Sequence, residues 1–333
     1  MTRWPYLCRR SFFGLGAGAL LATPSGAATE APDATSDRDR RIWTSAFSGQ
    51  RIWGYVDKHG ILPGEPFNVM LSTGPAVPTM RGRLVFFRIS HRGNGFLPVW
   101  TSQPIEISHQ PVSRTAASVG ANWPPTLEII DTARWSPGYY SADFVEDATR
   151  ISDIQVAQII VINPARSGTV LLRLSTNTYQ AYNSWGGHSL YPSDDEEKRG
   201  AMVSFDRPTP PSFFEYEVYL ARWLEALGAQ IGFGVDYAAN FDVHRHPEMI
   251  ERYRLVISGS HDEYWSKEEF DSFEHRIFKR GGNTIFFGAN AAYFQVRYAD
   301  LNRPPDGTDL GRQMVCYKSL TDPIAQRQTA LDP

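Results

Sequence analysis

Apolar and polar residues alternate in short runs through the first half of the chain. Runs at 67–71, 84–89, 127–130, 139–145 and 156–162 have strand length, and Pro/Gly turns such as Leu62-Pro63-Gly64 and Ser136-Pro137-Gly138 separate them. Helical periodicity is almost absent, so residues 40–165 read as an antiparallel β-sandwich. Asn163-Pro164-Ala165-Arg166-Ser167-Gly168 is the natural junction.

Beyond Gly168 the apolar runs at 169–174, 231–235, 255–259 and 284–288 are nearly continuous, as in parallel strands buried on both faces. Two helices are signalled between them. Ser212 and Glu215 have capping-box spacing ahead of the stripe Tyr216, Leu220, Trp223, Leu224 and Leu227, with Gly228 where a C-terminal cap belongs. Ser266 and Glu269 repeat the device ahead of Phe270, Phe273 and Ile277, before Gly281-Gly282. Alternating strand and helix over 166–333 predicts a mostly parallel sheet flanked by helices. The fold class is therefore α/β with an N-terminal all-β part. Segment 183–212 mixes Gly, Pro, Ser and acidic residues, and reads as a disordered loop or a lid over a site.

With 333 residues the chain suits two domains. Its 42% hydrophobic, 13% aromatic and 21% charged residues describe a chain that folds around a sizeable core. A formal charge of −3 and the lack of any long Lys/Arg block exclude a nucleic-acid footprint.

The N-terminus changes the picture. Arg9-Arg10-Ser11-Phe12-Phe13 is a twin-arginine start, residues 12–21 are apolar, and Ser25, Gly26, Ala27 and Ala28 offer a cleavage site. The apolar stretch is about half the ~20 residues that a membrane span needs. Residues 1–28 are thus expected to be a removed export signal, with the mature protein periplasmic or secreted and without a membrane span. Losing Arg3, Arg9 and Arg10 takes 33 basic residues to 30 against 36 acidic, a mature charge of −6. Cys8 leaves too, so Cys316 has no partner for an intrachain disulfide.

In open parallel sheets, ligands sit outside the carboxyl ends of the strands. Here those ends carry Ser175 to Gly187, Asp236-Tyr237, Ser260 to Trp265, and Ala289-Asn290. Gly259-Ser260-His261 lacks the cysteine and the second glycine of a nucleophile elbow, which disfavours Ser260 as a nucleophile. What remains is a set of Tyr, His, Glu and Asn side chains. Phenolate and carboxylate are hard oxygen ligands suited to a hard cation, and ferric iron is the natural partner of tyrosinate. Packing of the aromatic rings beneath a loop is the competing reading. His244 and His246, before Pro247, read as the cap of a short helix, because zinc would need further ligands at defined spacing.

The strings LLRLSTNTYQAYNSWGG, VISGSHDEYWSKEEF and RGGNTIFFGANAAYFQVR resemble the large (beta) subunit of N,N-dimethylformamidase and its relatives, over roughly Trp135 to Ser319. The resemblance implies a carboxyl-terminal domain like the class I glutamine amidotransferases without their cysteine. It also implies a mononuclear iron held by two tyrosines and a glutamate. Position by position, Glu263 matches the carboxylate ligand and Tyr182 one tyrosinate. Tyr140 is preferred as the second, with Tyr139 and Tyr179 as alternatives. His261 and Asn290 match neighbours of the metal. The family continues past Pro333 with a further acidic residue, so this chain is expected to be a truncated version or to carry an incomplete site.

These implications describe an iron-dependent hydrolase of a carbon–nitrogen bond in a small N-substituted amide, with His261 as proton shuttle and Asn290 near the oxyanion. A small subunit or a homo-oligomer is the expected partner. The alternative is a non-catalytic ligand- or carbohydrate-binding module whose aromatic strand ends stack a sugar.

Overall fold

The computed structural model describes residues 50–93, 95–147, 150–166, 168–191, 199–208, 212–299, 311–318 and 322–323. The export signal expected at 1–28 lies outside the described residues, as do the side chains of 147, 150–155 and 212–216.

Strands β1 (Ile52–Val56), β2 (Gly60–Ile61), β3 (Phe67–Thr73), β4 (Thr79–Ile89), β5 (Phe96–Thr101), β6 (Ile105–Ser108), β7 (Leu127–Ile129), β8 (Gly138–Asp147) and β9 (Arg150–Val161) come first, with a short helix α1 (Ala116–Val119). They form one sheet of order β1-β3-β7 and a second of order β2-β9-β8-β4-β5, with β6 also on β4. Every pairing is antiparallel except β2 with β9. Side chains alternate across a strand, so Leu84, Phe86, Tyr140, Ala142 and Phe144 share one face of the larger sheet. That face meets Ile52, Phe67, Val69 and Leu71 of the smaller sheet in a single core. The period-2 pattern of these strands is thus expressed as two sheets that share one core.

The second half holds β10 (Val170–Leu174), α2 (Thr176–Tyr182), β11 (Met202–Ser204), α3 (Ser212–Ile231), β12 (Val235–Ala239), α4 (Asn240–Arg245), β13 (Leu255–Ser258), β14 (Tyr264–Ser266), α5 (Lys267–Glu274), β15 (Asn283–Phe286), β16 (Phe294–Ala299) and β17 (Gln313–Val315). A parallel four-stranded sheet has the order β12-β10-β13-β15. The molecule is thus α/β with a β-rich first half.

Local differences from the pattern have identifiable causes. The strand expected at 231–235 begins only at Val235, because α3 runs on to Ile231. Gly232, in the left-handed region at φ +83°, closes that helix, and its N–H donates to the Gly228 carbonyl at 2.9 Å. Gly228 is therefore inside the helix and not its cap. An apolar run does not by itself separate a helix end from a strand start. The Ser266 hydroxyl caps α5, accepting from the Glu269 N–H at 3.2 Å. His244 and Arg245 sit in the last turn of α4, and His246 is its C-cap.

The segment 183–212, read as a loop, contains β11. This strand joins a second small sheet of order β11-β17-β16-β14. One apolar cluster joins Ile89, Tyr139 and Ile160 of the sandwich half to Leu172, Leu174, Ala221, Leu224, Tyr237 and Ile257 of the other. Among the described residues, no helix is long and apolar enough to cross a membrane.

Candidate functional site

The order β12-β10-β13-β15 places β10 between the strand that follows it and the next one after that. The connection from β10 to β12 and the connection from β13 to β15 therefore run in opposite directions along the sheet. In an open parallel sheet this switch opens a crevice at the carboxyl ends of the two central strands, here β10 and β13. The chain leaving β10 becomes α2, which ends on Tyr182. The chain leaving β13 turns through Ser260, at φ +53°, into His261, Asp262 and Glu263.

Three side chains meet there. The Tyr182 hydroxyl donates to Glu263 Oε2 at 2.6 Å and lies 3.1 Å from His261 Nε2. His261 Nε2 is 3.3 Å from the same carboxylate oxygen. On its other side, His261 Nδ1 is 3.1 Å from the Ala289 carbonyl. A carbonyl only accepts, so Nδ1 carries a hydrogen and Nε2 is the nitrogen that faces Tyr182 and Glu263. The hydrogen bond with Glu263 raises the imidazole pKa above its ordinary value, against the opposing effect of burial.

Helix α2 has no side-chain N-cap; tertiary bonds hold it instead. Asn177 accepts from the Tyr298 hydroxyl at 2.7 Å and donates to the Tyr264 carbonyl at 2.9 Å. Thr178 Oγ1 accepts from the Glu263 N–H at 3.0 Å. The helix that carries Tyr182 is thus bonded directly to the segment that carries Glu263. Beneath them Arg173, fully buried, makes a bidentate pair with Asp262, one arm at 2.6 Å, and lies 3.0 Å from Glu269. Its guanidinium lies 4.6 Å over the Trp265 ring. Asp262 is held inward, so its neighbours His261 and Glu263 are held toward the crevice.

Aromatic rings close the surroundings. Tyr191 stacks on Tyr182 at 4.3 Å, and the Tyr264 ring meets it edge-on at 6.2 Å. The Tyr264 hydroxyl is buried with no hydrogen-bond partner among the described residues. Burial, followed by the charge of Glu263, pushes its pKa well up. Lys318 lies over Phe294, Tyr264 and Tyr191 at 4.2, 4.9 and 5.3 Å. Burial lowers its ammonium to about 8, with Glu263 opposing. Lys318 follows β17, and no strand-end argument reaches it from the sequence.

The structure brings Tyr182, His261 and Glu263 together. Asn290 adjoins Ala289 in the same turn, at φ +56°. Tyr140 is not part of this cluster. Its ring stacks on Trp135 at 4.9 Å in the sandwich core, and its hydroxyl donates to the Ser136 carbonyl at 2.5 Å. Tyr139 points to the opposite face of β8 and donates to Gln158 at 2.7 Å; Tyr179 is buried beside Glu217. Among the described residues, no group of three or more His, Cys, Asp or Glu side chains could hold a metal ion.

Residues 83–332 match the family described as N,N-dimethylformamidase beta subunit-like, C-terminal. No curated protein matches the chain. Among solved structures, a cycloisomaltooligosaccharide glucanotransferase of Paenibacillus sp. is 10% identical with a TM-score of 0.20, covering 68% of this chain and 29% of that one. A family 123 glycoside hydrolase from Clostridium perfringens is 11% identical with a TM-score of 0.16, covering 74% and 50%. The chain therefore spans at most half the length of either. Likeness at this level carries no argument.

Proposed function

The chain belongs to the N,N-dimethylformamidase beta subunit-like family, and from that premise we propose an iron-dependent hydrolase acting on the carbon–nitrogen bond of a small N-substituted amide. The observation that carries this reading is the convergence of Tyr182 and Glu263, two hard oxygen donors 2.6 Å apart, at the switch point of the parallel sheet. Oxygens bound at ~2.0 Å to a small octahedral cation lie about 2.8 Å from each other. The pair fits a shared cation at nearly its present spacing, with the phenol proton displaced. Tyr264 suits the third position, since its buried hydroxyl has no hydrogen-bond partner among the described residues and its ring stands edge-on to Tyr182 at 6.2 Å. Tyr140 feels Arg88 and Glu225 instead.

Bound ferric iron would polarise the amide carbonyl as a Lewis acid. His261, anchored at Nδ1 by Ala289, presents Nε2 to the crevice, where it can take a proton from the water that attacks the carbonyl and pass it to the leaving amine as the carbon–nitrogen bond breaks. Asn290, in the turn that anchors His261, is the candidate donor to the oxyanion. The strand order and the sharp turn at Ser260 support a glutamine-amidotransferase-like fold in which the elbow carries no cysteine. Export by the twin-arginine route, and association with a small subunit or a second copy, belong to the same proposal. The family's description as a subunit supports the association.

Metal analysis and a visible spectrum of the purified protein test this reading. One iron per chain and a tyrosinate charge-transfer band are expected. Tyr182→Phe and Tyr264→Phe should lose the band while Tyr140→Phe keeps it, and His261→Ala should keep iron while losing about 10²- to 10⁴-fold in turnover. Colourless, iron-free protein from iron-rich cultures would instead favour a non-catalytic binding module.

A further inference from the structure

Beside the three-residue cluster lies an open groove that the chemistry above does not use. Leu220 and Trp223 of α3 line it together with Phe287, Gly288 and Ala289. Ser260 and His261 close one end. Trp223 is 51% exposed and Phe287 50%, and their ring centroids stand 6.4 Å apart. A single exposed aromatic is ordinary. Two that pack tilted against each other beside an imidazole present a continuous apolar surface to a ligand.

The backbone at Gly288 is built for close approach. A Cβ on Gly288 would stand 1.5 Å from the Ser260 carbonyl oxygen, so a side chain here would push this backbone away from the 260–261 turn. That contact brings the Ala289 carbonyl to His261 Nδ1. The imidazole is consequently a wall shared by two compartments, with Nδ1 tied to Ala289 of the groove and Nε2 facing Tyr182 and Glu263.

We propose, resting on the amide-hydrolase reading, that this groove is the subsite for the substrate's N-substituent, and that this substituent is an uncharged aryl group. The order of the parts follows from the amide itself. A carbonyl at the Tyr182–Glu263 pair and a leaving nitrogen at His261 direct the N-substituent past His261, into the groove. Among the described residues no charged side chain other than His261 lines it, so a charged substituent would lose hydration there without a partner. Two methyl groups would touch little of the wall. A phenyl ring can make edge-to-face or offset contacts with both Trp223 and Phe287, each worth roughly 2- to 10-fold in affinity beyond its buried area.

Titration calorimetry of the purified protein with N-phenylformamide and with N,N-dimethylformamide tests the subsite through binding alone. N-phenylformamide should bind at least ~10-fold more tightly, and the ratio should fall toward one in Trp223→Ala and Phe287→Ala. Both side chains are half exposed, so the variants should keep the circular dichroism and melting temperature of the parent. Equal affinities in the parent protein, or a preference that survives the double substitution, would overturn the proposal. So would a sedimenting dimer that the double substitution dissolves, since a second copy would then cover the groove. Missing iron or turnover with the aryl preference intact would remove the hydrolase reading alone. Loss of the preference with iron and turnover present would remove only the subsite.

Discussion

Glu217 shows how one residue can tie stability to pH. It lies fully buried on α3, and one carboxyl oxygen accepts the Ser175 N–H at 2.9 Å. Burial pushes this carboxyl up to about 7, from 4.5. Between those values the unfolded chain has released a proton that the folded chain keeps, so stability falls as pH rises from about 4.5 to about 7, by about 3 kcal/mol. Above the folded pKa both states are ionised and this contribution levels off. Glu217→Gln carries no such proton and retains an oxygen for Ser175. Urea midpoints at pH 5 and pH 7.5 should therefore differ less in the variant than in the parent. The same alternation argument that makes a strand also sorts the tyrosines: Tyr140 shares its face with Ala142 and Phe144, whereas Tyr139 takes the other. The period-2 pattern of β8 contains this division. The choice of Tyr140 as a ligand came from a resemblance, which does not encode the direction of a side chain.

At the scale of elements, α2 is the informative case. Seven residues make a marginal helix in water, and this one has no side-chain cap. Its polar residues Asn177 and Thr178 are buried and act as tertiary clamps. Thr178→Val keeps the shape and removes the acceptor of the Glu263 N–H, leaving a buried donor unsatisfied at a cost of about 1–3 kcal/mol. A lower melting temperature together with weaker iron binding is the expected result; unchanged values of both would show that the clamp is dispensable. The string STNTYQAYN displays these residues without revealing their partners. The convergence of Tyr182 with His261 and Glu263 is more legible, since both segments leave adjacent strands of one sheet. Strand β11 is not legible at all: its three residues pair with Gln313–Val315, more than a hundred positions away, and no local pattern announces so distant a partner.

On the scale of the whole molecule, the two halves share more than a linker. Arg88 in the sandwich half makes a bidentate pair with Glu225 of α3, at 2.8 and 3.1 Å. Arg312 donates to the Val56 carbonyl at 2.9 Å and to Asp206 at 2.8 Å. With the apolar cluster that spans both halves, these contacts predict one cooperative unfolding transition. Calorimetric and van't Hoff enthalpies should agree; two separated transitions would show that each half is stable alone. The hydrophobic period changes visibly near residue 168 in the sequence. The interlocking is not visible there, because charged partners such as Arg88 and Glu225 look in sequence like any solvated pair.

Cys316 lies in the apolar cluster that contains Ala181 and Tyr264, immediately behind Tyr182. Burial pushes its thiol up to about 12, and only the thiolate reacts with disulfide reagents at an appreciable rate. In the native protein Cys316 therefore offers such a reagent almost nothing to attack. Modification has to wait for the layer behind α2 to part, and the waiting time is set by the breathing of that layer. The molecule carries its own stopwatch for the motion of the wall on which Tyr182 stands, readable with a coloured thiol reagent and no added label.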